Sequence, residues 1–425
     1  MVWFFRMLGH EHDRTLRLAR LLLHSRLAHS LVDAMLLRQA YSRPHGRVVA
    51  RFFLETGRRA LTDRRARVVH ANLLFPVELL WGLGLVPFHP EIASATGGSL
   101  GAAGLGLDRA QELGYAVDLC TVHRNALGMY ALGLYPRADA FVAASCLCDV
   151  SGQVLANLAE QQSRPFHLLD VPSADSEASL RYVADQLQAI TEQLCRELGV
   201  HLDEERLHQA ITLSNQAREL ALDTYELRAR KPSPLRGSDM LSQLAYIAAM
   251  FGSPYAVDYY FVLRAYIKCL LGLGVVEQAK QRLRLYWMHV RPYYPSELCS
   301  LLEDEHDAVI AFEEMSEVWW QPLDVDQPFR SLAAKVLSSP FNGPVQRRID
   351  NALRHIAKFQ AEGVVHFNHW GCRHSQGALR VLRDELRRHG LPLLQLDGDC
   401  IDPSNLQMGP LRTRVEAFVE MLGTG

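Results

Sequence analysis

The chain predicts an α/β protein with two parallel-sheet lobes, a helical connector between them and a helical arm in front. Three observations carry this prediction. Short β-branched and apolar runs alternate with amphipathic helical stretches over residues 67–200 and again over 282–425, as parallel strands joined by crossover helices do. Between them, residues 201–281 lose their strand signals and read as helix. Cysteines recur just past strand-like runs, at the edge where open α/β sheets place their chemistry.

With 425 residues the chain is too long for one core and implies roughly two or three domains, each able to fold without covalent staples. A formal net charge of -2 gives no bulk reason to expect a nucleic-acid partner. The arginines Arg58, Arg59, Arg64, Arg65 and Arg67 cluster locally, as a solvated helix face or as a site for a phosphate-bearing ligand. No secretory leader is legible in the first residues, which carry Arg6, His10, Glu11, His12, Asp13 and Arg14, so the 8 cysteines are expected to be reduced thiols in a cytoplasmic protein. Apolar runs such as Cys269 to Val276 are too short to span a bilayer.

The arm covers residues 1–66, with Leu18, Leu21, Leu22, Leu27, Leu31, Met35 and Leu36 near the helical period. The first lobe opens with Val68 and Val69, followed by a helix over Pro76 to Trp81 with proline near its first turn. Leu85 to His89 reads as a short strand. The glycine-rich piece Gly97 to Gly106 lacks phosphate-loop spacing and reads as an ordinary loop. Tyr115 to Leu119 is expected to be a strand that delivers Cys120. Asp139 to Ala144 is a strand delivering Cys146 and Cys148, and Gly152 to Gln161 a helix. The strand Phe166 to Val171 and the long helix Ser176 to Leu198 complete the lobe. In the connector, Leu207, Ile211, Ala217 and Leu220 keep helical spacing until Pro232 and Pro234 break it. The second lobe runs through the strands Leu283 to His289 and Ala308 to Phe312, then a helix from Pro344 to Glu362. That helix leads into GVVHFNHWGC (Gly363 to Cys372). The helix Ser375 to His389, the strand Pro392 to Leu396 and a last helix Leu411 to Met421 follow.

Thiolates are soft anionic ligands suited to iron–sulfur clusters or zinc. Three of them, Cys120, Cys148 and Cys372, occupy comparable strand-end positions and are expected to converge on one metal centre, an iron–sulfur cluster. Cys146 is two residues from Cys148, so in extended backbone the two side chains point opposite ways and one enters the site. Cys400 also sits past a strand end and reads as a fourth ligand or as part of a larger cluster. Cys195, Cys269 and Cys299 read as buried packing. His123, Arg124, His366, His369, Arg373 and His374 flank the candidate ligands, as donors to sulfur, anion-binding groups or proton carriers. Glu78 falls in the first turn of its helix, where a carboxylate is favoured, and is a candidate acid or base. Asp397, Asp399 and Asp402 form an acidic rim.

In their order, the motifs PVELLWGLGLVP (Pro76 to Pro87), LCTVHR at Cys120, Cys148–Asp149, LLDVP (Leu168 to Pro172), HWGCR (His369 to Arg373), LDGDCID and RTRVEAFVEML (Arg412 to Leu422) resemble the 2-hydroxyacyl-CoA dehydratase and benzoyl-CoA reductase family, over roughly residues 67 to 422. The resemblance implies two Rossmann-like, flavodoxin-like lobes and places the cluster ligands at Cys120, Cys148 and Cys372. It also implies a 4Fe-4S cluster that receives single low-potential electrons from an ATP-hydrolysing iron–sulfur activator protein. The substrate it implies is a CoA thioester, dehydrated through a ketyl radical or reduced, with Glu78 and His369 as the proton-handling, catalytic candidates. Members of that family pair with a related subunit. One branch forms homodimers with a double-cubane cluster that reduce small molecules, and the extra thiols Cys146 and Cys400 keep that alternative open, as they do a non-catalytic scaffold or electron-transfer subunit.

Overall fold

A computed structural model describes Ser25, residues 43–278 and residues 280–423. The helically spaced residues from Leu18 to Leu36 lie outside the described residues. The described part of the arm is a helix, Pro44–Thr62, that starts on its proline. It packs on Pro254–Gly272 and buries Phe52 edge-on against Trp81 and Tyr255.

The strands are β1 (Val68–Ala71), β2 (Val86–Phe88), β3 (Ala140–Ala144) and β4 (Phe166–Leu169) in the first lobe. The second lobe contains β5 (Leu283–Met288), β6 (Ala308–Glu313), β7 (Gly363–His369) and β8 (Leu393–Gly398). They form two sheets of 4 strands, ordered β2-β1-β3-β4 and β6-β5-β7-β8, and every pairing is parallel. Each order is the same winding, so both lobes are doubly wound α/β sheets of the flavodoxin-like kind. Each also has a switch point, between β1 and β3 and between β5 and β7, where the chain reverses its direction of travel across the sheet. β1, β3, β5, β6 and β7 are buried along their whole length, which is why they read as continuous apolar runs. Edge strand β8 alternates between buried and half-buried residues instead.

The connector helices Glu204–Arg228, Gln243–Met250 and Pro254–Gly272 are packed into the body. Ile211 and Leu263 share one apolar core with Val142 of β3 and Val364 of β7. Gly82 makes the crossing with Glu204–Arg228 possible, since a Cβ there would lie 2.8 Å from Leu207 Cδ1.

Two local expectations fail. Gly97 to Gly106 is a pair of helices, Pro90–Ser99 and Ala103–Glu112, joined by a short turn. Its last glycine serves packing: a Cβ on Gly128 would fall 1.8 Å from the Gly106 carbonyl oxygen, so the helices Ala103–Glu112 and Thr121–Ala131 meet backbone to backbone. Tyr115 to Leu119 contains no strand. Its backbone bonds are local, Tyr115 N–H to the Ala110 carbonyl (3.1 Å) and Leu119 N–H to that of Ala116 (3.2 Å). Tyr115 and Leu119 pack on the first lobe from a turn while Val117 is exposed, so apolar composition alone imitated a strand.

Candidate metal centre

Cys120, Cys148 and Cys372 are each the residue that caps the start of a helix, respectively Thr121–Ala131, Asp149–Gln162 and Arg373–Gly377. A helix start leaves backbone N–H groups without partners, and a sulfur at the cap stands near them, at Cys372 close enough to accept a hydrogen bond. The Cys120 sulfur faces the N–H groups of Val122 and His123, Cys148 those of Val150 and Ser151, and Cys372 those of His374 and Ser375. The Ser375 N–H lies 3.4 Å from Cys372 Sγ. Cys148 follows β3 and Cys372 follows β7, the strands that flank the two switch points. Cys120 arrives from a helix–turn–helix instead.

Three contacts draw the loops together. Gly371 lies on the Cys120 backbone, where a Cβ would be 2.6 Å from Cys120 Cα. Thr121 Oγ1 donates to Asp399 Oδ1 at 2.7 Å, and His369 Nε2 is 3.3 Å from Cys120 Sγ. Asp399 Oδ1 also accepts the N–H groups of Ile401 and Asp402, so it is a buried brace of the loop after β8. Asp402 caps the short turn Pro403–Asn405.

Every one of these thiols is pushed up. Burial raises Cys120 well above the ordinary cysteine range, and the neighbouring Cys148 and Cys372 sulfurs add to it. Burial holds Cys148 up at about 12, with a contribution from Glu91, and raises Cys372 as well. Cys400, fully buried, is raised by burial and then by Cys120. Its sulfur lies with a ring nitrogen of His369 and a carboxylate oxygen of Asp399 in a cluster whose ligand atoms are all within 4.8 Å of one another. Cys146 packs into the apolar core instead. Of the cysteines expected to be buried packing, Cys195 and Cys299 are half-buried and Cys269 is exposed, because it faces outward on Pro254–Gly272.

Each of the three cap sulfurs has an imidazole nitrogen beside it. His123 Nε2 is 3.3 Å from Cys148 Sγ, and His289 Nε2 is 3.8 Å from Cys372 Sγ. His289 is the first residue past β5 and has φ +67. Sequence reasoning missed it, although it stands at a strand end like the cysteines. Burial lowers His123 to about 4 and His289 well below its ordinary value, so both rings are neutral near pH 7.

Glu78 is fully buried at the start of Val77–Gly82. Its Oε1 accepts from Lys335 Nζ at 2.5 Å and from Ser214 Oγ at 2.7 Å, while Oε2 has no partner. Lys335 stacks on Trp320, 4.0 Å from the ring centre. It lines a cleft too tight for more than about one water with Phe75, Val77, Ile247 and Trp319. Glu91 was also missed. It sits in the first turn after β2, as Glu78 does after β1, and that shared placement was the legible signal. Burial pushes it up to about 7, and it accepts from Ser151 Oγ at 2.7 Å. The arginine patch is elsewhere: Arg67 immediately precedes β1, at the amino edge of the sheet, opposite the cysteines.

The donor set fits an iron–sulfur cluster. One buried thiol, Cys120, and two half-buried ones, Cys148 and Cys372, lie near enough to repel once ionised, and helix-start N–H groups offset only part of that. A polycationic core of iron would supply the missing charge, and thiolate softness suits it. Among the described residues no helix is long and apolar enough to cross a membrane.

Comparison with known proteins agrees with the motifs. A family model described as 2-hydroxyglutaryl-CoA dehydratase, D-component, matches residues 72–422. The (R)-phenyllactyl-CoA dehydratase alpha subunit of Clostridium sporogenes is 23% identical over 363 residues, covering 82% of this chain and 88% of that protein. The alpha subunit of lactoyl-CoA dehydratase of Anaerotignum propionicum is 24% identical over 377 residues, with 82% and 88% covered. A benzoyl-CoA reductase subunit of Thauera aromatica is 23% identical over 378 residues, with 81% and 86% covered. A match over this much of the chain shows the family: the protein belongs to the 2-hydroxyacyl-CoA dehydratase and benzoyl-CoA reductase family, as a relative of its alpha-type subunits.

Proposed function

We propose that this chain is the cluster-bearing subunit of an activator-dependent enzyme that dehydrates a 2-hydroxyacyl-CoA, or reduces a related acyl- or aroyl-CoA thioester. The observation that carries the reading is the mutual proximity of three thiols at helix starts, drawn from both lobes, in a chain whose relatives are named for such thioesters. Cys120, Cys148 and Cys372 would hold a 4Fe-4S cluster. When bound, that group supplies one low-potential electron at a time and a Lewis-acidic iron. Gly371 and the Thr121–Asp399 bond fix Cys120 against the second lobe. Glu78, with its unpartnered oxygen, and His369 are the groups assigned to proton handling, and Lys335 holds Glu78 in place. In this reading the partners are an ATP-hydrolysing iron–sulfur activator and a related subunit or second copy, in the cytoplasm.

The double-cubane reading is less favoured. Among the described residues the site gathers four thiols, those of Cys120, Cys148, Cys372 and Cys400, while Cys146 faces the apolar core. Anaerobic purification or reconstitution, followed by iron and acid-labile sulfide counts, tests the proposal: about four irons per chain supports it and about eight favours the double cluster. Zinc without sulfide would sink both. Turnover of a CoA thioester that requires activator and ATP tests the enzyme assignment, and failure to bind any of a diverse thioester panel overturns it.

A further inference from the structure

The three cap cysteines share a feature that the ligand assignment does not use. One ring nitrogen, Nε2 in each case, stands at each sulfur: His369 at Cys120 (3.3 Å), His123 at Cys148 (3.3 Å) and His289 at Cys372 (3.8 Å). The histidines come from unrelated places, the last residue of β7, the first turn of Thr121–Ala131 and the residue past β5.

We infer that His123, His289 and His369 are positioning residues that form a shell of N–H···S donors, one to each ligand sulfur, and that this shell sets the reduction potential of the centre. The inference rests on the cluster reading above. A metal-bound thiolate accepts hydrogen bonds and donates none, so the facing nitrogen must carry the proton. For His369 the Cys400 N–H points at Nδ1 from 3.3 Å, a contact that favours the proton on Nε2. His289 is the weakest of the three, because its Nε2 is shared with His374 Nδ1 at 3.3 Å. Reduction adds negative charge at the sulfurs, and donors aimed at them stabilise the reduced state more than the oxidised one. Removing a donor therefore moves the potential to more negative values.

The test is a redox titration, followed by electron paramagnetic resonance, of the anaerobically reconstituted full chain and its variants. His369→Phe and His123→Phe shift the potential downward, His289→Phe shifts it less, and His369→Gln, which keeps an N–H donor, recovers part of the loss. Unchanged potentials in Phe variants that retain wild-type iron and sulfide overturn the inference while leaving the cluster reading intact. A wild-type chain that takes up no iron and sulfide overturns both. Should a variant fail to assemble, pulsed resonance on the unsubstituted protein with 15N-labelled histidine decides: weak nitrogen couplings are expected, and either none or the strong coupling of a directly ligated imidazole overturns it.

Discussion

Gly371 lies so close to Cys120 that a side-chain carbon on it would sit 2.6 Å from the Cys120 Cα and 2.9 Å from its nitrogen. This contact joins the HWGC turn of the second lobe to the first-lobe loop that carries a candidate ligand. Gly371→Ala therefore forces the two backbones apart and is expected to cost roughly 1–3 kcal/mol, the usual range for overpacking. It should also lower iron retention. Gly377→Ala is the control, because a Cβ there meets nothing within 4 Å. Thermal unfolding and iron content of the two variants, measured side by side, check the claim, and equal behaviour refutes it.

In the proposed centre the thiols separate into ligands and neighbours. Cys372→Ser is expected to abolish most iron and sulfide uptake, whereas Cys400→Ser should keep wild-type content with a perturbed resonance signal, since Cys400 packs beside His369 and Asp399. Equal loss in both variants would make Cys400 a fourth ligand and close the centre to substrate.

The buried Lys335–Glu78 pair is predicted to be strongly asymmetric under mutation. Lys335→Met leaves a fully buried carboxylate without its cation, an effect of about 3–5 kcal/mol for such pairs. Adding Glu78→Leu removes the stranded charge and should recover most of the stability. Denaturant unfolding of both variants measures this; a double variant no better than the single one would show that the pair is not what the site depends on.

Glu313, fully buried at the end of β6, is held up at about 7 by burial, against an ordinary value of 4.5. The native state then binds more protons than the unfolded chain between those values, so stability falls as pH rises from about 4.5 to about 7 and levels off above. Glu313→Gln removes that component. Its unfolding free energy should gain on wild type by up to about 3 kcal/mol at pH 8, with no gain of this origin near pH 4. Parallel unfolding curves for both proteins at pH 5, 6, 7 and 8 would contradict the assignment.

Much of the fold was legible because its causes are local. Buried parallel strands such as VVHA, AFVAA and GVVHFNH announce themselves as unbroken apolar runs, and proline and glycine punctuate their helices. Two places misled. Gly106 belongs to a helix because its missing side chain admits the backbone of Gly128 from another helix, and Tyr115 to Leu119 closes as a turn between those helices, so neither is set by the local apolar or glycine content.

The amino-acid sequence by itself determined the two α/β lobes, the family and the strand-end or helix-start cysteines, since each rests on short-range pattern and motif order. Only the tertiary structure decided which groups meet. It set His369 of the second lobe on Cys120 of the first, brought His289 to Cys372, gave Glu78 its lysine and sent Cys146 into the core. The physical reason is that a site between two lobes is defined by side-chain directions and backbone approach, and these are fixed only when the two sheets pack.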